Sequence, residues 1–268
     1  MNEAIAALVR RHDPDRFLTA LFAPPERRDA LLTLYAFNHE LARAREVASE
    51  PPLALIRLQW WREVVEGEPK RHEIASPLSE VIAGCPQVAA DLEAMIDVRE
   101  REVETGFATV DHWRDAVLSG GGSLAVAAAR VLGAPEPEAF RRFGAAYVVA
   151  GQVRAMRYLA ARSQCLLPRD LLACRGLTIE AAIAEPEAPG VREVLSALVR
   201  EGVTLVREGQ AMLGRGSADH KAARAAALPA SLARRDFARW HRRPGSVVLQ
   251  RGFGDKLAVV RAAFTGHL

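Results

Sequence analysis

Long apolar runs, paired cysteines and strand-like alternation are all missing from this chain of 268 residues. No segment approaches the ~20 uninterrupted apolar residues that a helix needs to cross a bilayer, so no membrane span is expected. The three cysteines, Cys85, Cys165 and Cys174, are scattered and form no C-x-x-C pair. That excludes a disulfide framework and points to a reducing compartment. A structural zinc takes ligands in close pairs, a spacing that His39, His72 and His112 do not supply. The opening Met1-Asn2-Glu3-Ala4-Ile5-Ala6-Ala7 has an early acid and no apolar stretch, unlike a secretory signal or an acid-poor presequence. The expected location is cytoplasmic, at most peripheral to the inner membrane. A net charge of +3 is too small to argue for nucleic acid, which is not expected as a partner. An anionic lipid surface, a diphosphate or an acidic protein would suit it, and so would a plain Arg-rich solvated surface.

What the chain does have is helical periodicity and a core. Half its residues are hydrophobic, enough for a folded domain with a buried interior. Asp13-Pro14 reads as an N-cap followed by proline at the first helical position. Pro24-Pro25-Glu26 restarts the chain, and Leu31, Leu34, Phe37 and Leu41 recur at helical spacing to about Ala48. Pro51-Pro52 opens a helix striped by Leu55, Leu58, Trp61 and Val65. Ser76-Pro77 and Cys85-Pro86 read as further starts. From Gln87 to about Thr105, Leu92, Met95, Ile96, Val98 and Val103 alternate with acids and arginines. Thr109-Val110-Asp111 caps a long helix to Leu132, and a second runs from Glu136 to Ala161. Leu177-Thr178 caps a short one, residues 191–213 form an amphipathic helix, Gly214 to Ser217 are a loop, and three helical segments follow. With no repeat, linker or hairpin signal, the reading is a single all-α domain over residues 1–268.

Two segments carry a resemblance. Tyr35-Ala36-Phe37-Asn38-His39-Glu40, running on to Gln59-Trp60-Trp61-Arg62-Glu63, resembles the first signature of the squalene/phytoene synthase family. Leu166-Leu167-Pro168-Arg169-Asp170-Leu171-Leu172 resembles the close of its second. The resemblance covers roughly residues 12 to 265. It implies an all-α isoprenoid synthase-like bundle with a central apolar cavity. In that family two aspartate-rich motifs, with acids at i and i+4, hold Mg²⁺ while a prenyl diphosphate ionises in a water-free tunnel. Here Ala42 and Glu46 stand where the first pair belongs, Arg43 replaces a neighbouring aspartate, and Arg45 is a second added cation. Ala155 and Leu159 stand at the second pair. Within the family, Phe37-Asn38-x-Glu40-Leu41-Ala42, Arg57-Leu58-Gln59-Trp60-Trp61-Arg62 and Asp97-x-Arg99-Glu100 look closest to the mitochondrial complex I assembly factor six proteins, a branch without the aspartates.

The resemblance therefore implies a vestigial prenyl-diphosphate pocket formed by Tyr35, Asn38, Glu46, Gln152, Arg154 and Arg162, with no catalytic residue, no metal and no cofactor. Arg154 and Arg162 would cradle an anion, or else be solvated or paired with acids such as Glu46. The expected function is non-enzymatic: binding a protein partner or an isoprenoid or lipid, and assisting respiratory complex I assembly. The alternative is an active head-to-head prenyl transferase, which would need Mg²⁺, Glu46 and further acids from elsewhere, such as Asp97 and Glu100. A third reading is a prenyl-chain carrier.

Other features have plainer explanations. Ser119-Gly120-Gly121-Gly122-Ser123 lacks the Gly-Lys-Ser/Thr ending of a phosphate loop and reads as close helix packing or a kink. Trp60 and Trp61 cannot both face inward, so one is free to meet a partner or lipid. Asp111 reads as a helix cap, and Glu100, Glu102 and Glu104 as a solvated face. The basic segment 233–243, with Phe237 and Trp240, either packs into the domain or lies on an anionic membrane.

Overall fold

The computed structural model describes residues 2–46, 50–104, 106–213, 221–247 and 250–266, with the side chains of Arg45, Glu46 and Glu104 not among them. Among the described residues fifteen α-helices follow one another: α1 Glu3–His12, α2 Pro14–Ala20, α3 Pro25–Glu46, α4 Pro51–Val65, α5 Ala75–Gly84, α6 Val88–Glu104, α7 Val110–Val117, α8 Ser123–Val131, α9 Arg141–Ala160, α10 Arg169–Ala173, α11 Ile179–Ala184, α12 Pro189–Leu213, α13 Arg224–Ala227, α14 Pro229–Arg242 and α15 Phe253–Thr265. A π-helical turn, Leu118–Gly122, joins α7 to α8, and a 3₁₀ turn, Pro137–Phe140, leads into α9. No strand occurs among the described residues.

Local chemistry sets many of these boundaries. The Asp13 carboxylate accepts from the Arg16 amide and Pro14 opens α2, satisfying a donor that the helix itself leaves unpaired. Thr109, rather than Asp111, caps α7 by accepting from the His112 amide, and Asp111 sits in the first turn. Thr178 caps α11 in the same way. Helix α5 starts at Ala75, before the Ser76-Pro77 pair, and just ahead of it His72 Nδ1 accepts from the Ile74 amide. The short helix α10 falls on residues with no periodic signal of their own. The expected loop from Gly214 to Ser217 lies outside the described residues.

Helix α9 is the axis of the fold, packing against α12, α14, α8 and the π-helical turn. Around it, α3 packs on α1, α4, α5, α6 and α8, while α6 lies against α4, α8 and the π-helical turn. Phe37, Trp113, Phe140 and Phe143 are fully buried in the single core. Each such side chain contributes about 1.5–3 kcal/mol by leaving water.

The glycine run is a packing device. A Cβ on Gly144 would lie 2.6 Å from the Ala125 Cβ and against the Gly121 carbonyl, and one on Gly122 would lie 2.9 Å from the Arg141 carbonyl. The π-helical turn and α9 thus meet backbone to backbone. The wide turn also brings Gly120 and Gly121 to the wall of a pocket.

Candidate functional site

A pocket of about 230 Å³ lies between α3, α6, the π-helical turn and α9. Its apolar wall is Val98, Phe107, Val117, Val148, Ala155, Leu159 and Leu166, and its polar groups are Arg16, Asn38, Arg99, Glu102, Tyr147 and Gln152. Arg16 is nearly buried, with its Nη1 donating to Asp13 at 2.8 Å and its guanidinium 4.7 Å from the Tyr147 ring centre and 5.7 Å from that of Tyr35. Burial pushes the phenols of Tyr35 and Tyr147 well above their ordinary range, so both stay protonated. Glu102, the one carboxylate among the lining residues, accepts from Arg99 at 2.8 Å. Gln152 is fixed by the Trp113 indole, which donates to its Oε1 at 2.8 Å. The pocket therefore offers a buried cation and an amide over an apolar wall.

The structure distributes the six residues of the inferred prenyl-diphosphate pocket unevenly. Asn38 and Gln152 line this pocket, and Tyr35 lies behind Arg16. The side chain of Glu46 lies outside the described residues. Arg154 turns to the other flank of α9, where its Nη1 bonds Asp236 and its guanidinium sits 5.8 Å from the Tyr147 ring centre. Arg162 is exposed and stacks on Tyr158, 3.7 Å from the ring centre.

On that other flank, charges of opposite sign alternate across the fold. Asp15 accepts from the Tyr147 hydroxyl at 3.1 Å and from Arg251 Nε at 3.0 Å. Arg251 also bonds Asp236 at 2.6 and 3.0 Å. Asp236 accepts from Arg239 at 3.1 Å as well as from Arg154. Arg239 reaches on to Asp255, which accepts from Arg235 at 2.7 Å and from the Gly252 amide at 3.1 Å. The network ties α2, α9, α14 and α15 together. Beside it opens a cleft of about 710 Å³, lined by Arg10, Phe17, Leu18, Leu21, Arg251 and Lys256 among others.

The profile of the squalene/phytoene synthase family matches residues 9–261. The chain belongs to that family. Its fold superimposes on a dehydrosqualene synthase crystallised with a ligand, at a TM-score of 0.80 and 14% identity, covering 99% of this chain and 95% of that one. It also matches a squalene synthase from Alicyclobacillus acidocaldarius at 0.74 and 20% identity, over 92% and 95% of the two chains. At those identities the likeness establishes the isoprenoid synthase fold. In sequence the chain is similar to NADH dehydrogenase (ubiquinone) complex I, assembly factor 6, at 25% identity to the Homo sapiens protein and 26% to that of Mus musculus. Each match covers 196 residues, 70% of this chain but only 59% of the relative.

Along the squalene/phytoene synthase signatures, α9 presents Ala155 and Leu159 to the pocket at the positions that the resemblance assigns to the second aspartate pair. Ala42 is half-buried, and Arg43 is held at the surface by Glu40 at 3.0 Å. Asp97 and Glu100, the acids considered as substitutes, both clamp Arg62 of α4, at 2.8 and 2.9 Å. Glu102, read from sequence as solvated, instead faces the pocket. The inward stripe of α6, Met95 and Val98, extended by one more turn reaches Glu102, which is the signal that would have found it. Phe237 and Trp240 are buried, the latter donating to Ser196 Oγ at 2.9 Å. Trp61 is buried and Trp60 half-buried, with the two rings edge to face. All three cysteines are free. No helix among the described residues is long and apolar enough to cross a membrane.

Proposed function

We propose that this protein is a non-ionising member of the squalene/phytoene synthase family, which keeps the prenyl-binding scaffold and assists respiratory complex I assembly through a protein partner or a bound isoprenoid or lipid. The observation that carries the reading is the wall of the 230 Å³ pocket. Ala155 and Leu159 face it, and its one carboxylate among the lining residues, Glu102, is already ion-paired with Arg99. Mg²⁺ demands several oxygen ligands in near-octahedral geometry. The described donor set does not fit that need, and a prenyl diphosphate in this pocket would lack electrophilic help from these residues. Arg16, already paired with Asp13, and the Asn38 and Gln152 amides favour a polar head over an apolar tail, which suits binding without turnover. The assembly role is carried by the similarity to complex I assembly factor 6, which spans 59% of that protein.

The test is to incubate the purified chain with farnesyl or geranylgeranyl diphosphate, with and without Mg²⁺, and extract the lipids. The proposal expects unreacted diphosphate in both cases and co-purification of complex I subunits or assembly intermediates with the tagged chain. A squalene- or phytoene-like hydrocarbon formed only with Mg²⁺ would establish the competing reading, an active head-to-head prenyl transferase.

A further inference from the structure

Helix α15 is amphipathic in an unusual sense, because its apolar residues lie on two opposite faces. One face packs inward through Val259 and Ala262, with Asp255 buried beneath the arginines of α14. The other presents Phe253, Leu257, Val260 and Phe264 at i, i+4, i+7 and i+11, a continuous stripe along ~16 Å of helix. Phe253 is 82% exposed, Leu257 55% and Phe264 78%. Exposed phenylalanines at both ends of one stripe are not the scattered apolar residues of an ordinary surface. Leu21, 42% exposed, extends the patch, since Phe22 beside it meets Phe264 edge to face at 6.5 Å.

The surroundings of the stripe are cationic. Arg234, Arg235 and Arg261 line a shallow cleft with Leu257, and Lys256 and Arg10 rim the larger cleft beside Leu21. Neither α14 nor α15 carries an exposed carboxylate, since Asp236 and Asp255 are spent on the interior network. Among the described residues, Lys256 and Arg261 have no ion-pair partner. An apolar ridge flanked by cations is complementary to one kind of surface: acyl chains at the boundary and anionic headgroups above them. An acidic protein groove would match the charge but would not need a convex ridge with phenylalanines at both ends.

We infer that the outer face of α15, through Phe253, Leu257 and Phe264 with Lys256, Arg261 and Arg234 beside them, docks the protein on an anionic lipid bilayer. This surface lies outside the pocket and does not depend on whether the chain ionises a prenyl diphosphate. It also differs from the membrane contact read from sequence at Phe237 and Trp240, whose side chains are buried.

The experiment is co-sedimentation of the full chain with vesicles of phosphatidylcholine doped with phosphatidylglycerol, against phosphatidylcholine alone. Binding is expected to the doped vesicles, to weaken with added salt, and to fall by roughly tenfold or more in Phe253→Gln/Phe264→Gln and in Lys256→Glu/Arg261→Glu. These side chains are exposed, so unchanged melting of the variants would show that the fold is kept. A Phe253→Trp reporter should shift its emission to the blue on the doped vesicles only. Equal binding to both vesicle types, an unshifted reporter in the bound state, or no binding to either would overturn the inference. Self-association abolished by the double glutamine variant, without vesicle binding, would overturn it in favour of a protein interface.

Discussion

Along α9, the side toward α6 and the π-helical turn carries Gly144, Val148, Gly151, Ala155 and Leu159, whereas the side toward α14 carries Ala150, Val153 and Arg154. The first side packs backbone against backbone at Gly121 and Gly144 and opens into the pocket farther along the helix. The second is held by Asp15, Asp236 and Asp255 shared among arginines from α9, α14 and the segment before α15. On the pocket side, chemistry that would need carboxylates has none at Ala155 or Leu159. On the far side, carboxylates are present but consumed in structure. The difference teaches that Asp15, Asp236 and Asp255 sit where they hold helices together, away from Ala155 and Leu159.

The comparison can be broken from either side. The largest effect is expected for Asp236→Ala, which takes from Arg154 its carboxylate and leaves Arg239 with Asp255 alone and Arg251 with Asp15 alone. Removing one member of a buried ion network costs about 3–5 kcal/mol, and the low end applies because Arg154 and Arg239 keep side-chain exposures of 21% and 22%. Chemical denaturation would measure it, and an unchanged midpoint would show that the network is dispensable. Next comes Gly144→Ala, where the added Cβ collides with the Gly121 carbonyl and Ala125. Overpacking of this kind costs about 1–3 kcal/mol, read as a lowered melting temperature.

A smaller effect should follow pH. Burial pushes the Asp255 carboxyl up, but bonds from Arg235 and Arg239 outweigh it, so its pKa lies below the ordinary aspartate value. A depressed carboxylate stabilises the fold above its unfolded pKa, and that contribution is lost as pH falls through the lower folded value. Urea midpoints should therefore decline in acid for the wild type and decline less steeply for Asp255→Asn. The smallest effect belongs to Arg162→Ala. An exposed cation stacked on Tyr158 is worth at most about 1 kcal/mol, and its loss should leave ligand affinity of the pocket unchanged.

The local grammar was legible where a residue acts on its own neighbours. Asp13-Pro14, Pro25, Pro51-Pro52 and Thr178 marked helix starts because caps and prolines work within one turn. The glycine run announced close packing, although not that the turn would be π-helical, because that depends on α9 pressing against it from another part of the chain. The ion network was not legible. Arg154 finds Asp236 across 82 positions, and Arg62 finds Asp97 and Glu100 across 35 and 38. Tertiary partners of that kind leave no periodic trace. In the same way Asn38 and Gln152 could be assigned to a pocket by likeness to the family, whereas the direction of Arg154 and the exposure of Arg162 depend on how the bundle closes.

The central claim is that the pocket no longer uses metal to engage a diphosphate. Calorimetric titration of the chain with a non-hydrolysable farnesyl diphosphate analogue, with and without Mg²⁺, tests it most directly. The account predicts one affinity, or none, irrespective of the metal. A tightening of about tenfold or more with Mg²⁺, roughly 1.4 kcal/mol of coupling, would contradict it.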